Sequence, residues 1–339
     1  MPDIQLLLLV IIVLLAIAFG AVNGFNDAAN AIAPAIGSRS ISPRKAIIIA
    51  AFANLAGAAT GTLVAKTIGK GIIGPEVINY ITIISALLAI IIWGVIATKL
   101  GLPISLHHGF IAGLATAGIA IGGFKAVIWS VMWKILAAVL VAPLLGFFGG
   151  SIVMAIIYWI FRRSAPDKMR IVFSRLQYLT TTFMAYSHGK NDGQMPIGVI
   201  TMALVFYYGD PSIWEHLSLF NSTTWWIILV SAFAISTGTA LGGWRVIKTM
   251  GSKMSNLRPH QGFVATAAAA SVIEAASHIG MPVSTTHCIT ASVAGVGAAS
   301  RFSAVRWGIA RNIVVAWILT FPICGILGYF FSWLFNLIF

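Results

Sequence analysis

Apolar runs of near membrane-spanning length recur from one end of this chain to the other. They cover Ile4 to Ala21, Ala46 to Val64, Val77 to Ala97, Val127 to Ala142, Leu144 to Phe161, Trp225 to Ala240 and Ile309 to Phe321. A helix needs about 20 apolar residues to cross the hydrocarbon. In that medium every backbone N–H and C=O must be paired within the protein, which leaves only helices and closed barrels. Barrel strands alternate apolar and polar residues, and these runs do not. The chain is therefore expected to be an all-α polytopic membrane protein. Charged residues make up 9% of it, against roughly 25% in soluble domains. The net charge of +13 would suit a nucleic-acid partner, but the basic residues fall in loops between the runs, where membrane topology puts them. The partner this predicts is the lipid bilayer. The start, Met1-Pro2-Asp3, has no basic n-region, so the first run is expected to stay as a span rather than to be cleaved. Cys288 and Cys324 lie in apolar contexts and offer neither a disulfide framework nor a CxxC metal site.

The chain is written twice. Gly24-Phe25-Asn26-Asp27 returns as Gly189-Lys190-Asn191-Asp192. The segment from Gly101 to His108 returns from Gly280 to His287, each with a Pro-x-Ser and a terminal His. Val64 to Gly69 matches Val246 to Gly251, and Pro143 with Gly146 matches Pro322 with Gly325. The spacing widens between Asp27/Asp192 and Ser105/Ser284 because the second copy carries extra residues around Tyr207 to Thr224. The division is 1–165 as a first transmembrane repeat, 166–176 as a basic cytoplasmic loop, and 177–339 as a second repeat.

Each half is expected to make five crossings plus a re-entrant segment, at 104–122 in the first copy and 283–299 in the second. In the first half the crossings are 3–38 (broken near Asn26), 46–65, 77–98, 127–142 and 144–161. An odd number of crossings inverts the second copy. With both termini outside, fourteen Lys and Arg fall inside, from Arg39 to Arg258, and only Lys66, Lys70, Arg301 and Arg306 fall outside. That bias obeys the positive-inside rule and places the chain in the plasma (inner) membrane. Two inverted-topology repeats with broken helices and re-entrant hairpin segments are the layout of a secondary transporter.

Ionised residues at membrane depth are costly unless they bind something. Asn23, Asn26 and Asp27 supply oxygens beside Gly24, which permits unwinding, and Asn191 and Asp192 are the second copy's equivalents. Such oxygens suit a hard cation, by the logic of Ca2+ and Mg2+ sites, and the expected metal is Na+. The Pro-x-Ser segments predict a second element. Ser105 and Ser284 suit helix N-caps, and a helix N-terminus presents free N–H groups and partial positive charge to an anion. Ser105, Ser284, Thr285 and Thr286 are the anion-binding candidates, with Asn30 and Gln194 beside them. His108 and His287 form a repeat-matched pair read as hydrogen-bond partners of the re-entrant segments, with proton handling as the other option. Glu274 stands where the first copy has Val95, and is read as a packing or gating group. Lys190 is read as a counter-ion of Asp192 or an anion attractant.

Gly24-Phe25-Asn26-Asp27-Ala28-Ala29-Asn30-Ala31 resembles the G-A-N-D-V-A-N-A signature of the inorganic phosphate transporter family, the PiT type. His188-Gly189-Lys190-Asn191-Asp192 resembles its His-Gly-x-Asn-Asp partner, and the Gly-x-Pro-x-Ser-x-x-His element occurs in both halves. The resemblance covers almost the whole chain. It implies import of inorganic phosphate coupled to Na+ or H+. Phe25 replaces the usual Ala, and Gly193-Gln194-Met195 replaces the second Val-x-Asn stretch, so Asn30 has no Asn twin and the half-sites are not equivalent.

The function this predicts is a secondary active phosphate importer working by alternating access, with Na+ as coupling ion and H+ as the other candidate. It has no cofactor and is not an enzyme. The alternatives are a permease for another oxyanion such as sulfate, or an uncoupled anion channel. An intramembrane enzyme with Asp27 and Asp192 as a dyad lacks a supporting motif. A homo-oligomer stays open.

Overall fold

The computed structural model describes residues 4–338. Met1-Pro2-Asp3, read above as lacking a basic n-region, lie outside the described residues. Among those residues the chain is helical and contains no strand, only the isolated bridges Ile73–Val127 and Ser255–Val305.

Thirteen α-helices follow in order among the described residues. The first six are α1 (Ile4–Gly37), α2 (Pro43–Ala58), α3 (Leu63–Gly71), α4 (Tyr80–Leu100), α5 (Leu106–Gly122) and α6 (Trp129–Ile160). Next come α7 (Pro166–Asp192) and α8 (Gln194–Tyr208). The last five are α9 (Trp225–Leu241), α10 (Trp244–Lys248), α11 (Pro259–His278), α12 (Thr285–Ser300) and α13 (Trp307–Ile338). The duplication is visible element by element. α2 and α3 are bent by 66° at their break, and α9 is bent by 61° from the helix that begins with α10. α5 and α12 each start after a capping serine. α6 and α13 have 32 residues each, with Pro143 and Pro322 inside. The halves interlock, because α1 packs on α9, α7 on α2, α5 on α13 and α12 on α6.

By length and composition five helices can cross a membrane, and the two bent pairs would bring the number to seven. Their outer faces carry exposed apolar side chains such as Trp133, Leu140, Phe148 and Trp159 on α6 and Ile318 and Ile326 on α13. Asn, Asp and His side chains line the interior instead. Apolar outside and polar inside is the arrangement lipid demands.

Three expectations change. The break near Asn26 is absent: α1 is continuous from Ile4 to Gly37. Gly24 serves close packing instead, since a Cβ there would lie 2.0 Å from the Ile235 carbonyl oxygen on α9. The chain breaks at the α2–α3 and α9–α10 bends. The crossings 127–142 and 144–161 are one helix, α6, about 48 Å long at ~1.5 Å per residue. Pro143 removes a hydrogen bond, but Gly146 and Gly150, in the turns that follow it, seat the helix against the Cys288 and Ser292 carbonyls of α12. Residues 104–122 hold the helix α5 and 283–299 the helix α12, each entered through a short extended segment that ends in its capping serine. Residues 166–176 are not a loop. They open α7, with Pro166 at a first-turn position that its fixed φ favours and Asp167 against the helix dipole.

Backbone contacts also regroup the charges. Ile73 bridges Val127, and the Gly74 N–H donates to the Ala126 carbonyl, so Lys125 sits with the end of α3 that carries Lys70. The Arg306 guanidinium donates to the Ser252 and Lys253 carbonyls, so Arg306 sits with the basic stretch after α10.

Candidate functional site

The motif glycines do the seating. A Cβ on Gly238 would lie 2.0 Å from the Ala21 carbonyl oxygen, reciprocating Gly24 on α9. In the other copy a Cβ on Gly189 would lie 2.2 Å from the Asn54 carbonyl oxygen and one on Gly57 2.0 Å from that of Tyr186. Small residues let helix backbones touch in lipid. The polar residues next to them are thereby carried into the interior, and Asn23, Asn26, Asp27, Asn30, Asn191 and Asp192 are all buried.

The two asparagines make matching contacts. Asn26 Nδ2 donates to Thr98 Oγ1 (2.6 Å) and to the Leu102 carbonyl (3.4 Å). Asn191 Nδ2 donates to Ser277 Oγ (2.9 Å) and to the Met281 carbonyl (3.5 Å). Each amide is thus fixed with its Oδ1 buried and without a hydrogen-bond partner. Both polar atoms of Asn23 and the Oδ1 of Asn30 are in the same condition.

The carboxylates meet at the starts of α5 and α12. Thr286 Oγ1 donates to Asp27 Oδ1 (2.8 Å) and accepts from Asn30 Nδ2 (2.8 Å). The Leu106 backbone N–H also faces Asp27. Thr285 Oγ1 donates to Asp192 Oδ2 (3.3 Å). His107 Nδ1 lies 3.6 Å from Asp192 Oδ1, and His188 Nε2 lies 3.4 Å from Asp192 Oδ2. Donor atoms of Asp27, His188 and Asp192 all fall within 4.8 Å of one another. Two carboxylates so close repel in a low dielectric unless a cation or proton stands between them.

Ser105 and Ser284 immediately precede the residues of this meeting point. Their Oγ atoms accept the His108 and His287 backbone N–H groups (3.3 and 3.2 Å), which makes them N-caps as expected. Gln194 lies apart. Its Oε1 accepts the Ala65 N–H and its Nε2 donates to the Lys190 carbonyl, so it ties α8 to the start of α3. Lys190 is not a counter-ion of Asp192: its Nζ pairs with Glu274. His108 and His287 stack edge to face, with centroids 4.8 Å apart.

Asn54, Thr98 and Ser277 were not singled out from sequence. Asn54 Oδ1 sits 2.6 Å from His188 Nδ1, and orients that ring with Nε2 toward the carboxylates. As the one amide in the apolar run of α2, Asn54 carried a readable signal. Thr98 and Ser277 stand three residues before Gly101 and Gly280 in the two copies, a repeat match that also could have been read. His107 is the repeat equivalent of Thr286, and both approach the opposite copy's aspartate.

The unpaired amide oxygens and the two carboxylates fit a hard cation such as Na+. His188 Nε2 adds a nitrogen donor better suited to a proton or a borderline divalent ion. Two helix N-termini aimed at one point also favour an anion.

The model of the phosphate transporter family matches residues 23–171 and again 161–328. The chain belongs to the phosphate transporter family. It is 40% identical over 339 residues to a protein of Bacillus subtilis (strain 168) named "Probable low-affinity inorganic phosphate transporter", covering 99% of this chain and 100% of the relative. A Rhizobium meliloti (strain 1021) protein of the same name is 39% identical, over 95% of this chain and 94% of the relative. The solved structure titled "The sodium-dependent phosphate transporter" superposes with a TM-score of 0.89 at 26% identity, covering 98% of this chain and 100% of that one. These relatives are named as transporters, and this chain is a membrane transporter rather than an enzyme.

Proposed function

We propose that this family member imports inorganic phosphate together with cations, Na+ first, by alternating access between inverted halves. The observation that carries the reading is the convergence of Asp27 and Asp192, one from each copy, with His188 at the N-terminal ends of α5 and α12. A cation between the carboxylates would remove their repulsion and leave the helix ends free to hold a phosphate oxyanion. Asn23, Asn26 and Asn191 are assigned to the cation. Thr285, Thr286 and Asn30 are assigned to phosphate, with Ser105 and Ser284 shaping the cradle. Gln194 is a tie between elements in this arrangement. The sodium-dependent transporter that shares the fold supports Na+.

The count of elements supports inversion. In the first half α1, α2 with α3, α4, α5 and α6 all have the length and composition of spans, and five passes, an odd number, would invert the second half. The contacts at both ends agree. α5 follows Gly101, whose carbonyl accepts from Thr249, and leads to the bridge with Ile73. α12 follows Gly280, whose carbonyl accepts from Thr67, and leads to the bridge with Ser255. Regrouping Lys125 outside and Arg301 and Arg306 inside sharpens the basic bias to fifteen against three. This favours both termini outside in the plasma membrane.

A second reading has an observation of its own. Two imidazoles within 3.6 Å of Asp192 favour H+ as the coupling ion. Radiolabelled phosphate uptake into proteoliposomes, under separate inward Na+ and H+ gradients, decides between them. Accumulation against a phosphate gradient that needs Na+ supports the first reading. Accumulation driven by a pH gradient alone supports the second, and downhill flux that ignores both leaves the uncoupled channel. Excess sulfate in the same assay tests the choice of oxyanion.

A further inference from the structure

The Lys190–Glu274 pair has no part in the site described above. Lys190 Nζ is in contact with Glu274 Oε1, and His278 Nε2 lies 3.2 Å from the same oxygen. The side chains are 11%, 18% and 69% exposed in that order, while the neighbouring Asp192 is fully buried. The three therefore step outward from the carboxylates to the surface.

Stability does not require charges here. The repeat equivalents of Lys190 and Glu274 are Phe25 and Val95. The aligned positions in the other half thus carry apolar side chains, and that half folds without an ion pair there. An ion pair taken out of water seldom outperforms such an apolar pair. It is also incompletely satisfied, for Glu274 Oε2 is buried without a hydrogen-bond partner. A half-satisfied polar network is a poor static brace, but it suits a contact made in one state and exchanged in another.

The pair lies where moving parts meet. Lys190 is on α7 and Glu274 is on α11. The Lys190 Cε comes within 3.9 Å of where a Cβ would stand on Gly61. Gly61 has φ +123°, a conformation that favours glycine, and it lies in the 66° bend between α2 and α3. Beyond the bend, Gln194 holds the Ala65 N–H and Thr67 holds the Gly280 carbonyl. Asn191, next along α7, donates to Ser277 on α11, one turn from Glu274.

We propose that Lys190 and Glu274, with His278 as the exposed end, form an ionic latch across α7, α11 and the α2–α3 bend that closes one approach to the carboxylate site. The first half carries Phe25 and Val95 at the aligned positions, so it has no ionic latch of its own. The latch concerns water access to the site and rests on the alternating-access reading only for its use in transport.

The test is thiol labelling of full-length protein in proteoliposomes. Ser277→Cys is the reporter, read with a small membrane-impermeant thiosulfonate, and the buried Cys288 and Cys324 are measured as background without it. Lys190→Gln and Glu274→Gln should each speed labelling at least tenfold. The charge swap Lys190→Glu with Glu274→Lys should return the rate toward that of the parent, and Lys190→Arg should leave it unchanged, which separates opening from misfolding. Equal rates in all variants overturn the latch, and so does a swap that stays fast. Phosphate uptake is scored separately in the parent and the latch variants without the reporter, because Ser277 holds the Asn191 amide. Faster labelling in a protein that carries no phosphate keeps the latch and removes the transport reading.

Discussion

At the scale of single residues, the site depends on which oxygen is left free once each polar group has been fixed. Thr98 and Ser277 hold the amide nitrogens of Asn26 and Asn191, and so choose which end of each amide faces inward. Thr286 links Asn30 to Asp27, one hydroxyl joining a proposed anion ligand to a proposed cation ligand. Asp27→Asn and Asp192→Asn are expected to abolish ion-dependent uptake while the protein still folds, because Asn keeps the shape and loses the charge that balances a cation. Phosphate uptake with unchanged ion dependence in both variants would make these aspartates packing groups. Ser105→Ala and Ser284→Ala act differently. Each removes a cap worth about 0.5–2 kcal/mol to its helix and loosens the N–H groups behind it. Phosphate affinity should fall roughly tenfold, about 1.4 kcal/mol, with a smaller change for the cation. Equilibrium binding of both ligands to the double variant checks this, and an unaltered phosphate affinity would remove the helix ends from the site.

At the scale of elements, backbone proximity decides the architecture. α1 lies on α9 through Gly24 and Gly238, and α7 lies on α2 through Gly189 and Gly57, each with a carbonyl where a Cβ would need to be. Gly24→Ala and Gly238→Ala should therefore force the helices apart and lower both folded yield and melting temperature in detergent. Gly149→Ala is the control. It sits inside α6 with nothing within 4 Å of the added methyl, and should be neutral or stabilising by about 0.4–1 kcal/mol. Similar losses in all three would show that the close carbonyls are not the cause, and gains in all three would show that helix propensity, not contact, governs these positions. The bends between α2 and α3 and between α9 and α10 do what an unwound α1 was expected to do. They interrupt the helix beside the site while α1 stays intact as the axis against which both motifs are placed.

At the scale of the whole molecule, the exchange of partners between halves matters most. Because α5 packs on α13 and α12 on α6, neither half has a complete core alone, and each aspartate meets the helix end of the opposite copy or its equivalent. Cysteines introduced at Ser164 and Ser212, before α7 and after α8, should react from opposite sides of the membrane, Ser164 from the cytoplasm. Reaction of both from one side would sink the inverted arrangement, whatever the basic residues suggest.

The amino-acid order alone was enough for the class of fold, the duplication, the capping serines and most of the residues that meet at the site. These are local or periodic properties: run length, repeated motifs and the chemistry of Asn, Asp, Ser and Thr at membrane depth. Element boundaries were less legible. A proline in an apolar run reads as a break, yet Pro143 lies inside α6, whose following turns are seated on α12 through Gly146 and Gly150. A glycine beside Asn and Asp reads as unwinding, yet Gly24 is spent on α9. What only the tertiary structure decided is pairing. Gln194 went to α3 and Lys190 to Glu274 rather than to the anion and to Asp192, and Asn54 was brought under His188 from 134 residues away. Sequence specifies what a side chain can bond. In a medium without water, the nearest partner left by helix packing determines what it does bond, and that distance exists only after the halves have interlocked.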